Sequence, residues 1–295
     1  MEQGGGISII SPSSLTDSST GKAKSNGIPS TTASRLMSVK EKLCVPWCQE
    51  DGSALESIKK GVAEMVGTAM IVFLGCLGCV GSMGNIPSPV QVCLSFGFAV
   101  VTAISSTAHI SGAHLNPAIT VGAVVCGQKS LLSALVYIIG QTAGGIVGFG
   151  LLKLITPQQL LHGGDPSTTR DFCVTLVNED VGMFKGFMAE LIATGILVFM
   201  ACAIGDSRNA RNTDSTAIKF GLAIAVLCFG FVPYTGCSMN PARSFGPALL
   251  NNQWTGHWVF WFGPFAGALV GSLLYKMTFA LKSKEENAIS PEVGV

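Results

Sequence analysis

The feature that most constrains the fold of this chain is a triplet that occurs twice in apolar surroundings. Asn116-Pro117-Ala118 in the first half of the sequence is matched by Asn240-Pro241-Ala242 in the second half. An Asn side chain can accept from the free N–H groups of a first helical turn, and Pro fits there because it has no N–H to leave unpaired. Each triplet therefore predicts the start of a helix. One such triplet would be an ordinary helix cap, whereas two in matching contexts indicate a duplicated unit.

The composition indicates that this unit lies in a membrane. Of 295 residues, 48% are hydrophobic and only 12% are charged, which is too few charges for the surface of a soluble domain of this size. The formal net charge of +1 gives no electrostatic preference for nucleic acid, so we expect none as a partner. The lipid bilayer is the expected surrounding.

Six apolar segments are long enough to cross the bilayer. A ten-residue helix is roughly 15 Å long, about half the thickness of the hydrocarbon core, so the short apolar segments that the triplets open are predicted as re-entrant half-helices. The predicted fold is an all-α membrane protein with six transmembrane helices and two re-entrant half-helices. The predicted spans are residues 61–83, 90–108, 130–155, 183–204, 218–235 and 257–281.

The two halves of the chain align with each other. The run that contains Glu64 matches the run that contains Glu190, and a row of glycines spaced by four recurs in the third and sixth spans. Three spans per half is an odd number, so the second half enters the membrane from the opposite side and forms an inverted repeat. The predicted organisation is a flexible N-terminal tail (1–57), a channel domain (58–282, with repeats at about 58–156 and 183–282) and a C-terminal tail (283–295).

The basic residues predict the orientation. Most Lys and Arg side chains fall in the two tails and in the connections on the same side of the membrane as those tails. The positive-inside rule places that side in the cytosol. We therefore expect both termini to be cytosolic, and the plasma membrane as the location.

Inverted halves packed face to face would bring the two half-helix N-termini together near the midplane. Each N-terminus carries about half a positive charge, so a passing cation meets an unfavourable potential. Asn116 and Asn240 would cap these ends and offer donors to a permeating molecule. Arg243, on the first turn of the second half-helix, is interpreted as a filter residue, with a structural ion pair as the alternative.

Two carboxylates in the spans, Glu64 and Glu190, need polar partners because charge is costly at membrane depth. They could relay protons or bind substrate. Their symmetric placement favours a supporting role, in which each accepts hydrogen bonds from the re-entrant loop of its own half.

The ten cysteines show no spacing typical of a disulfide framework. Cys76 and Cys79 are interpreted as small core residues of an apolar helix. We find no Cys/His pattern typical of a metal site, and we expect neither a metal nor a cofactor.

At the two triplets the sequence resembles the aquaporin family. The stretches that carry the resemblance are His109 to Ala118 and Tyr234 to Ser244. The resemblance covers about residues 58 to 282. It implies a six-span hourglass fold, a homotetramer with a pore in each subunit, and passive conduction of water without protons.

The resemblance also implies a selectivity filter of four positions near the outer mouth. They correspond to Phe96, Cys228, Cys237 and Arg243, and Cys228 stands where strict water channels have His. A thiol in place of an imidazole leaves a wider and more apolar constriction. This combination resembles an insect branch of glycerol-permeable channels, the entomoglyceroporins, although Ser244 after the arginine is typical of the water branch.

The predicted function is a passive channel for water and small uncharged solutes such as glycerol and urea, which excludes protons and ions. The alternative within the family is a strictly water-selective aquaporin. A secondary transporter would also use inverted repeats, but only Glu64 and Glu190 could couple ions. A structural or junction protein is a third possibility. An enzyme is not expected, because no nucleophile with a base, metal cluster or nucleotide motif is present.

Overall fold

The computed structural model describes residues 53–80, 86–161 and 171–279. Residues 1–52 of the predicted N-terminal tail and all of the predicted C-terminal tail lie outside the described residues. Helix α1 begins at Ala54, within the stretch assigned to the tail, and the hydroxyl of Ser53 caps it by accepting from the Glu56 N–H at 3.3 Å.

Six of the helices in these described stretches are long and apolar enough to cross a membrane. Their exposed large side chains are mostly Leu, Ile, Val and Phe, as suits a surface in contact with lipid. The predicted number of spans and the all-helical class are confirmed, while several helix ends differ from the predicted ones. The spanning helices are α1 (Ala54–Leu77), α2 (Pro89–Ser111), α4 (Leu131–Ile155), α5 (Met183–Ile204), α6 (Thr216–Thr235) and α8 (Val259–Thr278).

The two remaining α-helices are short and begin at the prolines of the repeated triplets. Helix α3 covers Pro117–Val125 and helix α7 covers Pro241–Asn251. At 1.5 Å per residue, neither is long enough to cross the roughly 30 Å hydrocarbon core. They are the two predicted half-helices.

The glycine rows explain how closely the helices of each half pack. Gly140, Gly144 and Gly148 of α4 lie directly against the backbone of α1, and Gly267 and Gly271 of α8 lie directly against the backbone of α5. A Cβ atom at any of these glycines would collide with a carbonyl oxygen of the facing helix. The same small residues therefore close the same helix pair in both halves, as expected for an internal repeat.

Candidate functional site

The N-termini of the two half-helices meet and are tied to each other by their capping asparagines. The Asn116 side-chain oxygen accepts from the Ala118 N–H at 2.8 Å, and the Asn240 oxygen accepts from the Ala242 N–H at 3.0 Å. Pro117 and Pro241 occupy the first helical position in each case. All six residues of the two triplets are buried.

Each capping asparagine also reaches the opposite half. Asn116 Nδ2 donates to the Met239 carbonyl at 2.8 Å, and Asn240 Nδ2 donates to the Leu115 carbonyl at 2.9 Å. A side-chain amide has two N–H donors. Each asparagine can therefore hold the opposite loop with one donor and offer the other to a molecule between the half-helices.

The loops that lead into the half-helices have the same unusual backbone in both halves. Ala113 and Leu115 have φ values of 51° and 54°, and the equivalent Cys237 and Met239 have φ values of 51° and 52°. Left-handed φ values at residues other than glycine cost of order 1–3 kcal/mol each, so these loops need external support.

Two buried carboxylates provide that support. Glu64 accepts from Ser111 Oγ at 2.6 Å, from the His114 and Leu115 N–H groups at 3.0 and 2.6 Å, and from Gln141 Nε2 at 2.7 Å.

Glu190 has the equivalent arrangement in the second half. It accepts from Thr235 Oγ1 at 2.6 Å and from the Ser238 and Met239 N–H groups, each at 2.8 Å. Each carboxylate thus accepts hydrogen bonds from the re-entrant loop of its own half.

A cavity of about 250 Å³ runs past the half-helix ends. Both capping asparagines line it, and so do all four residues of the predicted filter: Phe96, Cys228, Cys237 and Arg243. The structure therefore brings the triplets and the filter positions together on one route. Beyond the asparagines, the same cavity continues to Gln128, Gly205 and Thr216.

Arg243 is held on two sides in the cavity wall. One guanidinium nitrogen donates to the Cys173 carbonyl at 2.9 Å, and the guanidinium carbon lies 4.5 Å from the centroid of the Phe96 ring. The residue is only 6% exposed. Within the described part of the chain, a carbonyl acceptor and a cation–π contact are thus its partners at this depth, rather than a carboxylate.

The interpretation of Cys76 as a simple core residue is wrong. Cys76 forms a disulfide with Cys173, which lies 97 residues further along the chain. Cys79, Cys93, Cys126, Cys202, Cys228 and Cys237 are free thiols. The reason for the error is that the fold, not the local spacing, brings the connection after α4 back to the C-terminal end of α1.

Sequence reasoning also missed the contacts that Cys173 makes with Arg243. The closer one is made by the Cys173 carbonyl, at 2.9 Å from one guanidinium nitrogen, while the Cys173 sulfur lies 3.8 Å from another. A backbone acceptor leaves no signature in residue types. The available signal was Cys173 itself, a cysteine in the otherwise polar connection between α4 and α5.

Directly after Gly205, which lines the cavity, a charged cluster contacts the C-terminal end of α8. Asp206 accepts from Arg208 at 2.6 and 2.8 Å and from Tyr275 Oη at 2.7 Å. Arg208 also donates to the Phe279 carbonyl at 2.6 Å. The hydrogen bonds from Arg208 hold the pKa of Asp206 well below its ordinary value.

Six spanning helices, two half-helices that meet end to end, and one cavity lined by both ends define a membrane channel. Comparison with known proteins identifies the kind of channel. The sequence profile of the family described as Major intrinsic protein matches residues 52–275.

The chain is 38% identical to aquaporin-4 of Mus musculus over 77% of this chain and 71% of the relative. It is 37% identical to aquaporin-2 of Bos taurus over 72% of this chain and 76% of the relative. Among solved structures, the X-ray structure of the aquaglyceroporin from Plasmodium falciparum matches with a TM-score of 0.67 and 25% identity, over 75% of this chain and 96% of that chain. The chain belongs to the major intrinsic protein family, the aquaporin channels, and is not an enzyme.

Proposed function

We propose that this channel conducts water and small uncharged solutes such as glycerol and urea, and that it excludes protons and ions. The observation that carries the proposal is the composition of the filter. Phe96, Cys228, Cys237 and Arg243 all line the cavity, and among these residues only Arg243 is charged.

The filter has two chemically different sides. Phe96 and the two thiols present an apolar wall, while Arg243 presents N–H donors on a fixed guanidinium. A glycerol molecule has the same two sides, a carbon backbone and a row of hydroxyl groups. It can therefore lay its carbons along the apolar wall while its hydroxyls accept from Arg243.

Ion exclusion follows from the charges along the route. Arg243 repels cations at the filter, and the opposed positive ends of α3 and α7 repel them again at the asparagines. The remaining donors of Asn116 and Asn240 would orient a water oxygen toward themselves. The oxygen of a water oriented in this way already accepts from the asparagines, so it cannot also accept a proton from the next water in the pore.

The comparisons support both solute ranges. The solved relative named an aquaglyceroporin supports glycerol conduction. The relatives named aquaporin-4 and aquaporin-2, together with Ser244 directly after the filter arginine, favour the alternative of a strictly water-selective channel. The size of residue 228 distinguishes the two.

The test is the glycerol-to-water permeability ratio of the protein in liposomes, measured for the wild type, Cys228→His and Cys228→Ser. An imidazole at this position fills part of the constriction, and raising the barrier by about 1.4 kcal/mol lowers the flux roughly tenfold. We expect glycerol flux to fall about tenfold in Cys228→His with water flux largely kept.

Cys228→Ser is the matched control, because it replaces the thiol without adding bulk, and its ratio should stay close to that of the wild type. A wild type that passes water but no glycerol would instead establish the strictly water-selective alternative.

The assembly and location are part of the proposal. By similarity to the family we infer a homotetramer with a pore in each subunit, located in the plasma membrane with both termini in the cytosol. The same proposal includes the predicted division into two tails and a channel domain. It also includes the supporting role of Glu64 and Glu190 and the resemblance to the insect glycerol-permeable branch. Chemical crosslinking in native membranes and protease access to the tails would test assembly and orientation.

A further inference from the structure

We propose that the Cys76–Cys173 disulfide positions the filter arginine and is a reducible site, so that a small thiol at the filter-side mouth changes which solutes pass. This inference rests on the filter role of Arg243 put forward above. It adds a residue outside the predicted filter, Cys173, as a positioning residue for selectivity.

Cys173 is the residue that fixes the guanidinium. The Arg243 donor lies 2.9 Å from the Cys173 carbonyl, and a second guanidinium nitrogen lies 3.8 Å from the Cys173 sulfur. A buried arginine side chain stays where its acceptor is. The location of the Cys173 carbonyl therefore sets how far the guanidinium extends into the cavity.

Two consecutive residues of α1 set both contacts of the guanidinium. Cys76 is bonded to Cys173, which carries the carbonyl contact. Its neighbour Gly75 lies flat against the Phe96 ring, since a Cβ atom there would collide with the ring. Phe96 carries the cation–π contact. Helix α1 thus contacts both groups that hold the guanidinium, the segment of the Cys173 carbonyl and the Phe96 ring.

Hydrogen bonds alone do not make this link. Asn251 Nδ2 donates to the Phe172 carbonyl at 3.1 Å, and Thr175 Oγ1 donates to Ser244 Oγ at 2.7 Å. Both bonds tie the segment around Cys173 to α7, the helix that also carries Arg243. Within the described stretches of the chain, the disulfide is the covalent tie between that segment and α1. Breaking the disulfide frees the Cys173 carbonyl to move relative to Phe96.

The two cysteines differ in their exposure. Cys76 is completely buried, whereas Cys173 is partly exposed, so we place the attack of an incoming thiolate at Cys173. Dithiothreitol forms a mixed disulfide with Cys173, and Cys76 leaves as a thiolate that takes a proton from solvent. The second thiol of dithiothreitol then closes its cyclic disulfide and releases Cys173 as a thiol. Two electrons and two protons pass from the reductant to the protein.

A third thiol determines how the test must be designed. The Cys79 sulfur lies 3.8 Å from the Cys173 sulfur. In a Cys76→Ser variant, Cys79 could form the replacement disulfide and hide the effect. Substitution of Cys173, which both partners need, avoids this problem.

The experiment measures water and glycerol permeability of the full chain in liposomes before and after dithiothreitol. Alkylation and mass spectrometry confirm that Cys76 and Cys173 have become free thiols. We expect the glycerol-to-water ratio to fall at least about twofold, because the Cys173 carbonyl and the guanidinium that it holds shift away from Phe96 into the lumen and obstruct the larger solute more. Cys173→Ala should show the low ratio without reductant and no further response to it. Cys79→Ser keeps the disulfide and should behave like the wild type.

An unchanged ratio in protein with both thiols free would overturn the proposal. So would an equal loss of both fluxes, which indicates loss of folded channels rather than a displaced arginine. If the wild type passes no glycerol, the proposed solute range fails, but water flux should still change on reduction in the wild type and not in Cys173→Ala. An unaltered water flux in that case would overturn the positioning role separately.

Discussion

Replacing Glu190 by Gln tests the support of the re-entrant loops most sharply, because the two side chains have nearly the same shape. One carboxylate oxygen accepts from Thr235 Oγ1 and the Ser238 N–H, and the other accepts from the Met239 N–H. With the amide oxygen kept toward Thr235 and Ser238, the new NH₂ group points at the Met239 N–H. Two donors then face each other in a site that is 1% exposed.

The cost can be worked from these contacts. An orphaned buried N–H costs about 1–3 kcal/mol, and each of the two remaining bonds loses about 1 kcal/mol when its acceptor is no longer charged. Relief from burying a charge offsets part of this loss, which leaves a net destabilisation of about 2–4 kcal/mol. For a chain of this size the midpoint of thermal unfolding should fall by roughly 5–15 °C.

Glu64→Gln should cost less than Glu190→Gln, for a reason visible in the structure. A new NH₂ group toward Ser111 can donate to that hydroxyl, and the backbone N–H it leaves unpaired belongs to His114, which is only partly buried. Exposed Glu179→Gln is the matched control and should unfold like the wild type. The assay is thermal unfolding in detergent followed by circular dichroism. A Glu190→Gln midpoint equal to that of the control, or a larger shift for Glu64→Gln, would refute the reasoning.

Two further predictions concern helix packing and pH. Gly145→Ala should destabilise the protein or lower the yield of folded protein, because the new Cβ would collide with the Ala242 carbonyl of α7. Gly230→Ala is the control, since open space surrounds Gly230, and it should change the stability by less than about 1 kcal/mol. Thermal unfolding compares the two variants. Because Arg208 depresses the pKa of Asp206 in the folded state, the stabilisation by Asp206 is fully present above the ordinary Asp pKa of about 3.9 and is lost as the pH falls through the lower folded pKa. The difference in unfolding midpoint between wild type and Asp206→Asn should therefore stay constant from about pH 5 to 8 and shrink below about pH 4, and a difference that grows in acid would contradict this sign.

The helices could be predicted from the sequence wherever local chemistry decides them. Runs of apolar residues gave the six spans, and the Asn-Pro pairs gave the first residues of both half-helices. The start of α1 was missed because Glu56, Lys59 and Lys60 make its first turns polar, although they continue the same helix. Hydropathy marks where a helix enters lipid, not where its hydrogen bonds begin.

Contacts between distant segments could be predicted only in part, as for the meeting of the two half-helix ends and the loop contacts of Glu64 and Glu190. The capping of each half-helix is local, but the bonds from Asn116 to Met239 and from Asn240 to Leu115 exist only once the two halves have met. The disulfide of Cys76 likewise depends on the return of a distant connection. Arg243 was predicted from its place on the half-helix, and the other three filter positions from the resemblance to a family. The carbonyl that holds Arg243 could not be predicted, because every residue type has one.

The most direct test of the central claim is the glycerol permeability of the purified wild-type protein in liposomes, measured beside its water permeability and beside protein-free liposomes. A filter formed by Phe96, Cys228, Cys237 and Arg243, without a histidine, predicts glycerol flux well above that of protein-free liposomes and in proportion to the amount of protein reconstituted. Rapid water flux together with glycerol flux no greater than that of protein-free liposomes would contradict it.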